Sequence, residues 1–287
     1  MRLFAGALNN NRITRFLKNI RNSLLNFYFL RKKVVYLSPQ IEELFKSPAL
    51  VFCIAFNKPI CIQIMINCWS RFAKNTTLIV VDNSTDIDSR DEIRVICISN
   101  NIHYVGLPKN PEWHPNRSHA LAMNWVYYNL TKKLSPKFFG FLDHDCFPFD
   151  KFDLTDLLKN KNFYGERKMS EKNTAVWNLW AGFCFYKYEY VKGKRMNFTH
   201  SVELGLDTGG CNYTKVYKDI DATNHPNCFA KSRKISPNLI PYTNSSFVQL
   251  DNFIHIGSAS RNDKGNNIDL ITVDFIENLN KFKVPLL

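Results

Sequence analysis

The pattern of apolar and polar stretches along the chain predicts an α/β domain. Short, nearly uninterrupted apolar runs at residues 49–56, 77–81, 102–105 and 137–142 have the length and composition of buried strands. Stretches of helical length separate these runs, and strands that alternate with helices form parallel sheets. We therefore expect a mostly parallel central sheet flanked by helices, with ligands at the carboxyl ends of its strands.

The second half of the chain has a different pattern from the first. In the first half, residues 59–72 and 118–133 have helical character, and Ser118 is placed to cap the second of these helices. In the second half, longer aromatic strands such as residues 176–188 and 247–256 alternate with loops. Because no repeat or low-complexity linker separates the two halves, we expect one continuous domain.

A basic arm, residues 1–46, precedes this domain. Apolar residues recur in it at helical spacing, while arginines and asparagines occupy the other face. These apolar residues are Ile13, Phe16, Leu17, Ile20, Leu24 and Phe27. Such an amphipathic helix suits either an anionic lipid surface or docking on the chain's own domain. Its apolar runs are too short to span a bilayer. We expect no secretory signal, because no uninterrupted apolar region or small-residue cleavage site follows the charges.

The net charge of +13 is concentrated in this arm. Residues 1–40 hold eight arginines and lysines and no acidic residue, so the remaining chain carries only +5. A basic chain suggests nucleic acid, a membrane surface or an anionic substrate as partner. The uneven distribution favours the second and third, and we expect no nucleic-acid partner. Eight scattered cysteines without a Cys-x-x-Cys pair indicate free thiols, and we expect a cytoplasmic protein, peripheral on the cytoplasmic membrane face.

Two carboxylates follow the fourth predicted strand, residues 137–142. Asp143 and Asp145 are two positions apart, so an extended chain places them on the same face. Their oxygens can then converge on one hard cation, Mg²⁺ or Mn²⁺, of the kind that bridges a diphosphate. A solvated turn after the strand is the alternative interpretation.

Polar residues also lie at other ends of the predicted elements. Asp82, which ends the second strand, could accept a hydrogen bond from a base or ribose, or could cap the next helix. Asn57 supplies an amide at the end of the first strand. Arg117 and Asn124 lie near the start of a helix, where a cation beside the helix favours a phosphate. A solvated loop charge and a surface amide are the alternatives for these two residues.

Taken in order, four segments resemble the nucleotide-sugar half of GT-A fold glycosyltransferases, family 2-like. The segments are Ala55-Phe-Asn57, Val80-Val-Asp82-Asn-Ser-Thr-Asp86, Ser118-His-Ala-Leu-Ala-Met-Asn124 and Phe141-Leu-Asp143-His-Asp145. They span residues 48–150, about a third of the chain. The resemblance implies a single GT-A-like domain over residues 47–287, with a nucleotide-sugar half at 47–150 and an acceptor half at 151–287.

The resemblance also implies a role for each of these positions. The residues expected to contact the nucleotide-sugar are Ala55, Asn57, Asp82, Arg117, Asn124, Asp143 and His144. Asp145 would be the principal ligand of the metal, with Asp143 touching the ribose or the same ion. His144 stands where a small residue is more usual, which leaves open whether the ion is Mn²⁺ or Mg²⁺.

The second half of the chain resembles the family over shorter segments. Trp180 and Gly182 fit an acceptor-side segment, although packing in the core also explains a tryptophan. Asp207, in a glycine-rich loop, is the candidate catalytic base, and Glu203 is its competitor. His255 would complete the metal ligands, or would serve as a structural histidine.

The resemblance implies a metal-dependent glycosyltransferase of the hexosyltransferase type, acting in polysaccharide biosynthesis. It would move a sugar from a nucleotide-diphosphate sugar to a glycan or lipid-linked acceptor with inversion, and Asp207 would deprotonate the acceptor hydroxyl. Two alternatives stay open. One is a nucleotidyltransferase of related fold, and the other is a methyltransferase that binds S-adenosylmethionine through the glycine-rich motif Leu206–Asn212.

Overall fold

The structure is a computed structural model that describes residues 12–234 and 247–256. The beginning of the predicted arm, residues 1–11, and the end of the predicted acceptor half, residues 257–287, lie outside the described residues.

Strands and helices alternate through the first half, as expected. The strands of the described residues are β1 (Tyr36–Leu37), β2 (Ala49–Ala55), β3 (Ala73–Lys74), β4 (Thr77–Asp82), β5 (His103–Gly106), β6 (Phe138–Asp143), β7 (Cys146–Pro148), β8 (Phe152–Asp153), β9 (Phe163–Met169), β10 (Trp177–Lys187), β11 (Ser232–Lys234), β12 (Phe247–Leu250) and β13 (Phe253–Ile256). The helices are α1 (Arg12–Leu30), α2 (Pro59–Phe72), α3 (Ile87–Ser99), α4 (Pro115–Val126), α5 (Lys132–Leu134), α6 (Leu154–Leu157) and α7 (Tyr188–Val191). Short 3₁₀ and π segments are Pro39–Lys46, Tyr127–Thr131, Gly210–Asn212, Tyr213–Tyr217, Ala222–Asn224 and Pro226–Cys228.

A seven-stranded sheet lies at the centre, in the order β1-β5-β4-β2-β6-β10-β9. Its inner strands β5, β4, β2 and β6 are parallel to one another. The strands at the two edges are antiparallel to their neighbours. The predicted parallel sheet with flanking helices is therefore confirmed at its centre, and antiparallel strands extend it on both sides.

The core has two layers, one on each side of the central sheet, and β2 is buried between them. Val51 and Cys53 point into the layer that contains α2. Phe52 and Ile54 point into the layer that contains α4. Since side chains alternate along a strand, this continuous apolar run fills both layers, as a central parallel strand does.

A second, four-stranded antiparallel sheet positions part of the site, in the order β11-β12-β13-β7. Strand β13 pairs with β7, and His255 lies opposite Cys146 in that register. The segment 247–256, predicted as one strand, is instead a hairpin. It turns at Asp251, whose φ of 47° is left-handed, a conformation that aspartate tolerates better than most residues.

Helix α4 begins earlier than the sequence pattern predicted. Pro115 occupies its first turn and His114 is the N-cap, so the expected cap Ser118 was wrong. Proline suits the first helical turn because its fixed φ is helical and its missing N–H has no partner there. Ser118 lies inside the helix, where its hydroxyl accepts a hydrogen bond from Asn83 (2.9 Å).

Helix α1 docks on α4 through one face and exposes the other. Phe29 is fully buried, and Asn26 accepts a hydrogen bond from the side-chain amide of Asn124 (2.9 Å). Leu17, Leu24 and Phe27 remain more than half exposed. Over the residues that the structure describes, no helix combines the length and hydropathy needed to cross a bilayer.

Candidate functional site

A cavity of about 420 Å³ opens at the carboxyl ends of β2 and β6. A parallel sheet gathers polar residues at this edge, because the loops that follow its strands converge there. The residues predicted from the sequence that line it are Asp143, His144, Asp145, Trp180, Gly182, Asp207 and His255. The structure thus brings together the acidic motif, the glycine-aromatic segment, the candidate base and the late histidine.

Asp143, Asp145 and His255 form a group that could hold a metal ion. One ligand atom from each residue lies within 4.8 Å of the other two. Strand β6 ends at Asp143, and the pairing of β13 with β7 brings the His255 Nε2 to 3.5 Å from Oδ1 of Asp145. Two carboxylates and one imidazole are a donor set that fits a divalent cation.

His255 lies close to several acidic side chains. Burial of the imidazole lowers its pKa, but the carboxylates of Asp145 and Asp143 outweigh this effect and raise the pKa above its ordinary value. The indole ring of Trp180 lies beside it, with 4.5 Å between the ring centroids. The same carboxylates would favour a metal cation in place of this proton, with the imidazole bound in its neutral form.

His144 has a structural role between the two aspartates. Its Nδ1 accepts a hydrogen bond from the backbone N–H of Phe56 (3.2 Å), and its side chain is almost fully buried. The imidazole therefore ties the end of β2 to the acidic motif. This contact accounts for a histidine at a position where a smaller residue was expected.

Gly182 gives the carboxylate of Asp143 the space that it occupies. A Cβ atom at this position would overlap with Oδ2 of Asp143 and with Cζ2 of Trp180. The pairing of β10 with β9 shifts register between Leu179 and Cys184, so Trp180 and Gly182 lie in an irregular part of the strand. Irregularities of this kind redirect side chains at sheet edges and sites.

Asp207 is held at the cavity by the amide of Asn116. The Asn116 Nδ2 lies 3.0 Å and 3.2 Å from the two carboxylate oxygens. The loop that carries Asp207 bends at Gly209, whose φ of 90° strongly favours glycine. Both oxygens face one amide, which fixes the carboxylate but leaves it accessible at the cavity.

Asp82 and Asn57 support the loop at residues 82–86 and do not line the cavity. Asp82 is fully buried, and its oxygens accept hydrogen bonds from Ser84 N–H and from the Tyr104 hydroxyl, each at 2.8 Å. Burial raises the pKa of Asp82, and these hydrogen bonds partly oppose the rise. The carbonyl of Asn57's side chain accepts from the N–H groups of Thr85 and Asp86. Their predicted contacts with the nucleotide stay predictions.

Ala55 also contributes to this loop through its backbone. Its carbonyl accepts a hydrogen bond from the backbone N–H of Asn83 (3.0 Å), and its side chain is buried in the core. Asn83 itself lines the cavity. The first and second strand ends therefore hold Asn83 at the cavity wall.

Arg117 and Asn124 lie away from the cavity because other groups hold them. The Arg117 guanidinium pairs with Glu112 (2.9 Å), and the Asn124 amide bonds to Asn26 and Asn197. Asn124 is fully buried, so it is not a surface amide. Neither side chain lines the cavity, and their predicted contacts with the nucleotide-sugar stay predictions.

Glu112 is a buried carboxylate that the sequence analysis did not identify. It pairs with both Arg21 (2.8 Å) and Arg117 (2.9 Å), and it joins α1 to the start of α4. Burial of the carboxylate raises its pKa, but the hydrogen bonds from Arg117 and Arg21 prevail and lower the pKa to about 2. A lone glutamate in a proline-rich loop carries no sequence pattern that would predict this role.

His119 and Asn116 are two further cavity residues that the sequence analysis missed. The Nε2 of His119 lies 3.3 Å from Oδ1 of Asp143, and Asn116 holds Asp207. The two residues are three positions apart on α4, so they lie on the same face of the helix. That spacing could have indicated a polar face, but only the fold directs it toward the sheet edge.

The glycine-rich motif Leu206–Asn212 lies in an irregular region. In the described chain between α7 and this motif there is no strand of the central sheet, only an isolated bridge between Ser201 and Leu206. The motif continues into the 3₁₀ turn Gly210–Asn212. It lacks the preceding strand on which a nucleotide-binding glycine motif depends.

No protein-family model matches the sequence. A search of curated proteins gives no match either. Among solved structures, the bifunctional glycosyltransferase WbbM is 13% identical with a TM-score of 0.36, over 50% of this chain and 32% of that one. A mannosyltransferase from Pyrobaculum calidifontis in complex with GDP-Man and Mn²⁺ is 13% identical with a TM-score of 0.39, over 68% and 57%. Glucosyl-3-phosphoglycerate synthase from Mycobacterium tuberculosis, with Mn²⁺ and UDP, is 12% identical with a TM-score of 0.34, over 71% and 90%.

These solved structures are glycosyltransferases, the type of protein that the sequence resembles. The match spans about a third of WbbM and 57% of the mannosyltransferase. The likeness is distant, and it carries no substrate or partner of those proteins over to this chain.

Proposed function

We propose that this chain is a metal-dependent glycosyltransferase that moves a sugar from a nucleotide-diphosphate sugar to a hydroxyl acceptor. The observation that supports this most directly is the convergence of Asp143, Asp145 and His255 at the carboxyl end of β6. The same cavity contains Asp207, an exposed carboxylate that the Asn116 amide holds. A metal site beside a carboxylate base suits transfer of a sugar from a diphosphate to a hydroxyl group.

The residues that would hold the cation are Asp143, Asp145 and His255. Mg²⁺ prefers ligands that are all oxygen, whereas Mn²⁺ and the later first-row ions also accept imidazole, so this donor set favours Mn²⁺. When bound, such an ion supplies positive charge that stabilises the leaving diphosphate.

The protein's own groups would act on the acceptor and on the sugar. Asp207 accepts the proton of the attacking hydroxyl, and the Asn116 amide keeps its carboxylate directed at the cavity. Attack from the face opposite the leaving group inverts the anomeric configuration. Trp180 and Gly182 border the transferred sugar, which we take to be a hexose, on the other side of the metal site.

The arm supports a proposal for the acceptor and for the location of the protein. Exposed apolar residues on α1, together with the excess of basic residues in residues 1–40, suit an anionic membrane surface. We propose a peripheral protein of the cytoplasmic face of a membrane that works on a glycan or lipid-linked acceptor in polysaccharide biosynthesis.

Hydrolysis of nucleotide-sugars by the purified chain tests the proposal. UDP-, GDP- and dTDP-sugars are incubated with Mn²⁺, with Mg²⁺ or with EDTA, and release of the nucleoside diphosphate is measured. We expect release with at least one donor that stops with EDTA and falls at least a hundredfold in Asp145→Asn. Asp156→Asn, an exposed carboxylate on α6 outside the cavity, is the matched control and should keep full activity.

The products also separate the two alternatives from the proposed reaction. Pyrophosphate release from a nucleoside triphosphate and a sugar phosphate would indicate a nucleotidyltransferase. A rise in melting temperature with S-adenosylmethionine but with no nucleotide-sugar would indicate a methyltransferase. Failure of every donor to bind or react with any divalent ion would overturn the proposal.

A further inference from the structure

A second, larger cavity lies beside the cavity that contains Asp143, Asp145 and His255 (the donor cavity), and helix α1 forms one of its walls. This groove has a volume of about 810 Å³. Lys18 and Arg21 of α1 lie on one side, and Trp113, Arg117 and His200 lie on the other. A pocket of this size accommodates a small molecule that combines an aromatic contact with a few polar ones.

The groove and the donor cavity are built from the same two segments of the chain. At the start of α4, Asn116 lines the donor cavity and the next residue, Arg117, lines the groove. In the segment of chain that follows α7, Asp207 lines the donor cavity and His200 lines the groove. The hydrogen bonds from Asn116 to Asp207 join these segments, so the candidate base stands where the two cavities meet.

Over the residues that the structure describes, the groove offers a flat aromatic surface that is largely open. Trp113 is 80% exposed, which is unusual for the largest apolar side chain. The guanidinium of Arg117 lies 5.6 Å from the centre of its ring. A rigid ring that is held at one face by a cation and open at the other presents a platform for an apolar sugar face.

The lining of the groove is also cationic. Lys18, Arg21 and Arg117 contribute three positive charges, against the carboxylates of Glu203 in the lining and Glu112 behind it. Burial lowers the pKa of His200, and the nearby Arg117 lowers it further, so this imidazole does not add to the positive charge of the groove. An excess of positive charge inside a cleft attracts an anionic group.

We propose that this groove is the acceptor site of the enzyme and that it binds a sugar carrying a phosphate ester. This inference rests on the proposed function and goes beyond it, because it assigns the acceptor to residues of α1, Trp113 and Arg117. The sugar ring lies on Trp113, the phosphate lies among Lys18, Arg21 and Arg117, and a hydroxyl of the ring reaches Asp207. The basic arm is then part of the substrate site as well as a surface helix.

A glycosyl phosphate could be soluble or could be linked to a lipid, and binding measurements distinguish the two. Glucose 1-phosphate in solution and vesicles that contain polyprenyl-phosphate glucose are titrated into the full chain by calorimetry, with glucose as the uncharged comparison. We expect one phosphorylated ligand to bind at least tenfold more tightly than glucose. The ligand that binds identifies the source.

Substitutions in the groove then test its location. Trp113→Leu and Lys18→Gln should each weaken binding of the phosphorylated ligand at least fivefold, because both side chains lie on the surface of the groove. Lys159→Gln, an exposed lysine outside the groove, should bind as tightly as the native chain. Equal affinity of Trp113→Leu and the native chain, or no preference for either phosphorylated ligand over glucose, would overturn the inference.

A parallel titration separates this inference from the proposed function. The native chain is titrated with UDP and GDP in the presence of Mn²⁺. If a nucleoside diphosphate binds while the phosphorylated sugars do not, the inferred acceptor site is wrong but the proposed transferase function still stands. If the phosphorylated sugars bind in the groove while no nucleotide does, the proposed transferase function is wrong.

Discussion

Gly182 packs directly against the carboxylate of Asp143, and the space between them has no room for a Cβ atom. The contact joins an antiparallel strand, β10, to the end of the parallel strand β6. Because Asp143 is one of three ligands of the candidate metal site, the position of one glycine fixes the geometry of that site.

Gly182→Ala is expected to displace the Asp143 carboxylate and weaken the metal site. The added methyl group would meet Oδ2 of Asp143 and the Trp180 ring, and overpacking of this kind costs about 1–3 kcal/mol of stability. We expect Mn²⁺ affinity, measured by calorimetry, and nucleotide-sugar hydrolysis each to fall at least tenfold. In Gly193→Ala, the matched control, the new Cβ would meet no atom within 4 Å, so both quantities should stay unchanged. Unaltered Mn²⁺ affinity in Gly182→Ala would contradict the assignment of Asp143 as a ligand.

Asn116 and Asp207 are expected to act as one unit. The Asn116 amide contacts both oxygens of Asp207, so Asn116→Ala should lower kcat about tenfold while the KM of the donor changes little. Asp207→Ala should lower kcat by about 10²–10⁴, the range of a lost general base. The double variant should be no slower than Asp207→Ala alone, because the amide acts only through the carboxylate.

Kinetics of the three variants, with Asn160→Ala as an exposed asparagine control, measure this coupling. Additive losses in the double variant would show that Asn116 and Asp207 work independently. Full activity of Asp207→Ala would transfer the role of base to another carboxylate, of which Glu203 is the nearest candidate in the sequence.

The local elements and the metal ligands were predictable from the sequence for a physical reason. Buried strands need continuous apolar runs, which the sequence shows directly. Ligands of one ion need close spacing or a shared sheet edge, so Asp143 and Asp145 could be predicted as a pair. The helix predicted over residues 59–72 has the bounds Pro59–Phe72. These features depend on neighbours in the sequence.

Features that depend on distant partners were not predictable. Asn124 was assigned to the nucleotide, yet it is buried by Asn26 and Asn197, residues far away in the chain. Arg117 was assigned to a phosphate, but Glu112 draws its guanidinium into the neighbouring groove. A single sequence shows which residue types are present but not which distant side chains contact each other. These contacts decide which cavity a side chain reaches.

The pairing of Glu112 with two arginines should make stability depend on pH. Its pKa is lowered to about 2 in the folded state from an ordinary value of 4.5, so the folded state holds this proton less tightly than the unfolded state. The resulting stabilisation is present above pH 4.5 and is lost as the pH falls from 4.5 toward 2. By linkage it amounts to at most about 3 kcal/mol, and to less in practice because Arg21 is partly exposed to solvent.

Urea unfolding of the native chain and of Glu112→Gln between pH 7 and pH 3 measures this contribution. The difference in the free energy of unfolding between the two proteins should shrink as the pH falls below 4.5. Glu92→Gln, an exposed glutamate on α3, should parallel the native chain throughout. A difference between the native chain and Glu112→Gln that stays constant with pH would show that the ion pairs contribute nothing to stability.

Helix α1 is expected to bind anionic vesicles through the face that it leaves exposed. Leu24 and Phe27 are 63% and 57% exposed, and the opposite face is fixed to α4 by Phe29 and Asn26, so the helix cannot turn to bury them. Monomeric proteins rarely expose apolar stripes of this kind without a partner. Burial of each side chain in a membrane interface would contribute about 1.5–3 kcal/mol, so Leu24→Gln with Phe27→Gln should weaken binding to phosphatidylglycerol vesicles at least tenfold.

Flotation with vesicles measures this binding, and α3 supplies the control. Val95 and Ile98 are similarly exposed, at 57% and 51%, but α3 carries three acidic residues whereas α1 has none. Val95→Gln with Ile98→Gln should therefore float like the native chain, and phosphatidylcholine vesicles should bind both weakly. If the chain instead sediments as a dimer that Leu24→Gln with Phe27→Gln dissociates, the stripe is an interface between two copies. If neither vesicle binds and the chain stays monomeric, α1 has no role at a membrane, and its remaining function is as a wall of the groove.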